Sequence, residues 1–183
     1  MVVEVRRPDH PPEPALCFMS SDLEDMVPHE DDPVVIFVVI MGRKVHRVPV
    51  DQESSADVMF WSIFNSLQLS PDQLKSYDGC LFGFAGDQGE VRGYIELRMT
   101  FSNGTSTWII NVKYIIVNVS LTYNLFLGRL SLNRLSVVAS TRHMKMNMCS
   151  LDGGVITIKS DQKTTKKACI SPKKSKERHD QKA

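Results

Sequence analysis

The sequence predicts a mostly-β domain, a small barrel or sandwich of short strands with one main helix. Three observations predict it. Short β-rich runs recur at regular spacing between turn signals. One of these runs empties directly into an acidic loop, 51–57 (DQESSAD). Just after that loop the apolar residues switch to helical spacing.

The elements follow in order. Residues 1–17 are Pro-rich and polar, and read as a disordered linker. The run 34–41 is rich in β-branched residues, Gly42-Arg43 punctuates it, and 44–50 alternates polar and apolar; together they predict a β-hairpin. Val58, Trp61, Phe64 and Leu67 predict a helix over 55–67, capped by Ser54 or Ser55, with Asp57 in its first turn. Ser70-Pro71 signals a second short helix start. A second hairpin is expected from 81–84 and 91–101 around the Gly-rich tip 85–89. Asn103-Gly104 marks a turn before a long strand over 108–119, and 123–128 is a short strand ending at a Gly. A short helix over 130–135 and strands at 137–138, 144–148 and 155–158 complete the domain. Residues 161–183 read as a basic, disordered tail.

Composition narrows the function classes. The chain has 183 residues, room for one domain plus tails. With 22 Lys+Arg against 21 Asp+Glu, no global field points to nucleic acid or a membrane. The longest apolar run is far too short to span a bilayer, and the first residues lack the apolar stretch of a signal peptide. Cys17, Cys80, Cys149 and Cys169 are scattered, which favours a reduced, intracellular protein, cytoplasmic or nuclear. The five histidines show no ligand spacing with one another or with the cysteines, so no zinc site is expected. Met144, Met146 and Met148 alternate and read as one face of a strand. Trp61 and Phe64 read as helix core, and Gly86-x-x-Gly89 as a turn, because no helix with a Lys follows it.

The informative spot is Asp51. A carboxylate at a strand end, on a tight loop, is presented rather than buried. Alone, an Asp at such a junction reads as a helix cap. The wider pattern changes that reading. DLEDMVPHEDDPVVI (22–36), VDQESSADVMFW (50–61), LKSYDGCLFGFAG (74–86), VRGY (91–94), YNLFLGRLSLNRL (123–135), STRHMKM (140–146) and GVITIKSDQK (154–163) occur in the order found in retropepsin-like aspartic proteases. They resemble in particular those of plant gypsy-type LTR-retrotransposon polyproteins, over roughly residues 18–170, with the protease domain itself at 18–160.

The resemblance implies a small closed acid-protease barrel with a flap hairpin. It implies proteolysis by a homodimer in which each subunit gives one Asp to a facing pair that shares a proton. One carboxylate activates water and the other, protonated, polarises the scissile carbonyl of an extended peptide. Carried over, Asp51 is the catalytic residue. Glu53, Phe84, Gly86 and Gly89 take substrate-binding positions at the loop and flap tip. Gln52, Ser54, Gly128 and Arg129 support the active loop. No metal or cofactor is implied.

Three positions depart from the pattern. Glu53 stands where the family has Gly, and a dimer would then gather four acidic groups near its axis. Pro49 removes an N–H from the strand feeding Asp51, expected to be central. Leu130 stands where the resembled branch has Pro. These departures point to a degenerate copy. Two rival readings follow: an inactive binding or dimerisation module on the same fold, and a nucleic-acid-associated fragment acting through the Lys-rich tail.

Overall fold

The computed structural model describes residues 14–24, 26, 31–79, 90–102, 104, 106–119, 121–150 and 153–163. The expected flap tip, with Phe84, Gly86 and Gly89, lies outside the described residues, as do Cys80, Cys169, most of the linker and the tail from 164.

The hairpin feeding Asp51 forms as its pattern dictates. Strands β1 (Val35–Ile40) and β2 (Arg43–Pro49) pair antiparallel from Val35↔Pro49 to Ile40↔Arg43. The turn between them puts Met41 and Gly42 at φ of 50° and 79°, the left-handed pair that matches the twist of a two-residue hairpin. Next comes β3 (Asp57–Phe60), then α1 (Trp61–Ser66). The expected helix over 55–67 is therefore only half right. Residues 57–60 form a strand, parallel to β5 on one side and antiparallel to β6 on the other. All four are buried, so the run shows none of the alternation that reveals a half-exposed strand.

Two long strands, β4 (Glu90–Ser102) and β5 (Thr107–Asn118), pair along their whole length. A β-bulge falls at Gly93, whose φ of 134° suits glycine. The short β6 (Leu125–Phe126) leads into α2 (Arg129–Arg134). The six-stranded sheet runs β2-β1-β4-β5-β3-β6. A separate sheet, β7-β8-β9, is built from Val138–Ser140, Lys145–Cys149 and Val155–Lys159. The expected closed barrel is thus two sheets. The bridge Val50↔Leu127, the Asn124 N–H to the Arg47 carbonyl (3.1 Å) and the Leu127 N–H to the Pro49 carbonyl (3.1 Å) tie the segment around β6 back to β2. The expected main helix and the expected short helix both form, as α1 and α2, and each is six residues long.

The core explains why the middle of the sheet reads as continuously apolar. Met59, Tyr114 and Ile116 face the main core with Ile36, Met99, Phe64 and Leu132. Val58, Phe60, Ile115 and Val117 face a second cluster on the other side. The strand β8 is buried throughout. Met144, Met146 and Met148 join the main core, as their spacing predicts. The opposite face of β8 meets residues 14–22. There Lys145 Nζ donates to the Asp22 carbonyl at 2.7 Å and its carboxylate at 2.8 Å, and Asn147 donates to the Cys17 carbonyl at 3.0 Å. The Lys145 hydrogen bond holds the Asp22 carboxyl below the usual range.

Candidate active site

Asp51 sits where the β2 hairpin strand ends. Its own N–H donates to the Leu127 carbonyl at 2.9 Å, which anchors the residue at the sheet. The loop then turns back on its side chain: Asp51 Oδ1 accepts the N–H groups of Glu53 (3.0 Å) and Ser54 (3.1 Å). Asp51 stays half-buried, while Gln52 and Glu53 are exposed. All three line one cavity of about 650 Å³ with Pro33, Val34, Tyr123, Phe126 and Arg142. Both loop N–H groups reach the same oxygen, Oδ1, and Asp51 itself lines the cavity.

The other predicted support residues converge on the same loop. Ser54 accepts the Arg129 N–H on its carbonyl (2.9 Å), and its hydroxyl donates to the Ala56 carbonyl (2.8 Å). Gly128 packs so closely that a Cβ there would overlap the Ala56 carbonyl, so a side chain is excluded by space rather than by φ. Arg129 itself is exposed, and its backbone makes the contact.

Two of the departures look milder in three dimensions. Glu53 takes no left-handed conformation, so its backbone does not demand glycine. Pro49 is not central: it ends β2, which lies at the edge of the sheet order. Its neighbour Val50 donates to the Val34 carbonyl (2.9 Å), and the Pro49 carbonyl accepts from Leu127 (3.1 Å). The bonds from the β6 side fall on the Arg47 and Pro49 carbonyls, so Pro49 takes part in this pairing as an acceptor.

One residue of the site escapes sequence reasoning. Asp57, expected in the first turn of a helix, is 2% exposed. Its Oδ1 accepts the Gly128 N–H and its Oδ2 the Ser131 hydroxyl, both at 2.8 Å. Burial pushes its carboxyl up to about 6, against the pull of Ser131, Gly128 and Arg134. The donors lie 71 and 74 residues along the chain, and no local signal in the sequence announces them.

Among the described residues no three His, Cys, Asp or Glu side chains gather as a metal site would require. Among them, too, no helix is long and apolar enough to cross a membrane.

Solved structures supply the comparison. The retroviral protease-like domain of Ddi1 from Leishmania major matches with a TM-score of 0.52 at 13% identity, over 70% of this chain and 92% of that one. The chain has a retroviral-protease-like fold. The EIAV protease bound to an inhibitor is also similar, with a TM-score of 0.44 at 18% identity, over 63% of this chain and 98% of that one. No family model and no curated protein matches the sequence. In this retropepsin-like fold Asp51 falls on the loop between the hairpin and β3, bonded to Leu127 in the two-residue link from β6 to α2.

Proposed function

We propose that the chain is an aspartic endopeptidase domain of the retropepsin type, originating in a plant gypsy-type retrotransposon polyprotein and acting as a homodimer on extended peptides. The observation that carries this reading is the setting of Asp51. It is a half-buried carboxylate at a cavity, oriented by two backbone N–H groups on a loop knitted to 127–129. One such carboxylate is half of a proton-sharing pair, so a second copy must complete the site. In the pair, one Asp51 takes a proton from water while its partner donates a hydrogen bond to the scissile carbonyl. Gln52 and Glu53, beside Asp51 on the cavity wall, flank the bound peptide.

A second reading, an inactive dimerisation module, draws on Glu53. Its exposed position next to Asp51 brings two surplus charges to the axis of any dimer. Cleavage of an unstructured peptide mixture at acid pH, with and without pepstatin, separates the two. Pepstatin-sensitive cleavage supports the endopeptidase. Dimerisation without cleavage supports the module.

A further inference from the structure

Three successive residues on the far side of the loop each hold a different point of it. The Leu127 carbonyl takes the Asp51 N–H, the Gly128 N–H reaches the Asp57 carboxylate, and the Arg129 N–H reaches the Ser54 carbonyl. Of these three ties, the one through Asp57 alone depends on a side chain. Asp57 also takes the Ser131 hydroxyl, so a single carboxylate spans the turn into α2 and the first turn of that helix.

We infer that Asp57 is a positioning residue for Asp51, clamping the end of the active loop onto α2 and so fixing the direction in which the Asp51 carboxylate is presented. This rests on the reading of Asp51 as the reacting carboxylate.

The groups around Asp57 define how such a clamp behaves. Tyr114 on β5 is fully buried nearby, but its hydroxyl is engaged with Met99 Sδ at 3.0 Å. Arg134 on α2 attracts Asp57 through space, while its guanidinium donates to the Asn111 carbonyl. Among the described residues Asp57 forms no ion pair, and both of its direct partners are neutral donors. A neutral pair of partners survives protonation. Oδ1 can keep the Gly128 N–H, while a protonated Oδ2 donates to the Ser131 oxygen as that hydroxyl turns from donor to acceptor. The clamp therefore holds in acid, where a proton-sharing dyad operates, and it avoids a buried charge there.

The test uses the full chain and three variants: Asp57→Asn, Asp57→Leu and Ser131→Ala. Amide hydrogen exchange is read at Glu53 and Ser54, whose N–H groups bond Asp51, with Val112 and Ile116 as core references. Asparagine can accept from Gly128 and donate to Ser131, so Asp57→Asn should leave exchange at Glu53 and Ser54 within about twofold and cleavage within about threefold. It should also flatten the dependence of stability on pH between about 4 and 6. Asp57→Leu should speed exchange at the two loop amides about tenfold or more with the references unchanged, and lower kcat about tenfold with little effect on KM. Ser131→Ala, which keeps one of the two bonds, should give about a threefold effect at the same amides. If Asp57→Leu fails to fold, Ser131→Ala decides. Exchange that rises equally at loop and core, or not at all, in the variants that fold overturns the inference. If the unaltered chain cleaves nothing, the protease reading fails, while the exchange pattern still decides the role of Asp57.

Discussion

Asp51 and Asp57 close the two ends of one loop, and their surroundings are opposite. Asp51 is half-buried at a cavity and, among the described residues, its Oδ1 accepts N–H groups of its own loop. Asp57 is sealed from water and bound to residues 71 and 74 positions away. On the proposed reading, the same side chain serves chemistry in one place and architecture in the other. What separates them is whether the carboxylate's partners are local, both held by one oxygen within the loop, or distant, using both oxygens to join two segments.

The largest effect expected from this contrast is on activity. Asp51→Asn should lower peptide cleavage by at least about 10²–10⁴-fold, because an amide neither takes a proton from water nor shares one with its partner. Steady-state cleavage at acid pH measures it, and undiminished turnover removes Asp51 from the mechanism.

Protonation should show the next effect, on stability. The folded-state value of Asp57, about 6, lies above its unfolded value of 3.8. The folded chain therefore binds this proton more tightly, and stability falls as pH rises through that window, by on the order of 2–3 kcal/mol. Asp22 works in the other direction. Its carboxyl is held low by Lys145, so its contribution is lost as pH falls below 3.8. Urea unfolding from pH 3 to 7 should accordingly be hardest between about 4 and 5. A profile flat from 4 to 7 contradicts the assignment for Asp57.

Gly128→Ala should destabilise by about 1–3 kcal/mol, because the new Cβ meets the Ala56 carbonyl and the loop must shift. Thermal unfolding reads this, and an unchanged Tm shows that the contact relaxes freely. Glu53→Gly removes two charges from the axis of a dimer, and a relief of about 1.4 kcal/mol would tighten association about tenfold. Sedimentation across a concentration series measures it; equal dissociation constants would mean that the Glu53 side chains avoid one another. The smallest effect belongs to Pro49→Ala. Because Pro49 ends a strand at the edge of the sheet order, stability should change by less than about 1 kcal/mol. A larger gain would restore the view of Pro49 as damage.

Much of this architecture is legible in the sequence. The β1–β2 hairpin announces itself through β-branched residues around a turn, and β4, β5 and β8 through apolar patterning. The strand β3 is not legible. Both of its faces are buried, so alternation vanishes, and the chance spacing of Val58, Trp61 and Phe64 imitates a helix. The position of Asp51 at a strand end is legible, and so is the arrival of Gly128 and Arg129 in a later apolar strand's turn. The role of Asp57 is not, because its partners are assembled only by the parallel pairing of β3 with β5 and the return of β6. Pro49 shows the reverse error. Proline looks disruptive in a feeding strand until the sheet order places that strand at an edge.

Inhibitor stoichiometry tests the shared site most directly. Calorimetric titration of the purified chain with pepstatin at about pH 4.5, with sedimentation mass on the same sample, counts sites per chain. The expected result is one inhibitor bound per two chains, on a dimer, and no binding to Asp51→Asn. One inhibitor per monomer, or equal binding by Asp51→Asn, would contradict a site built from two copies of Asp51.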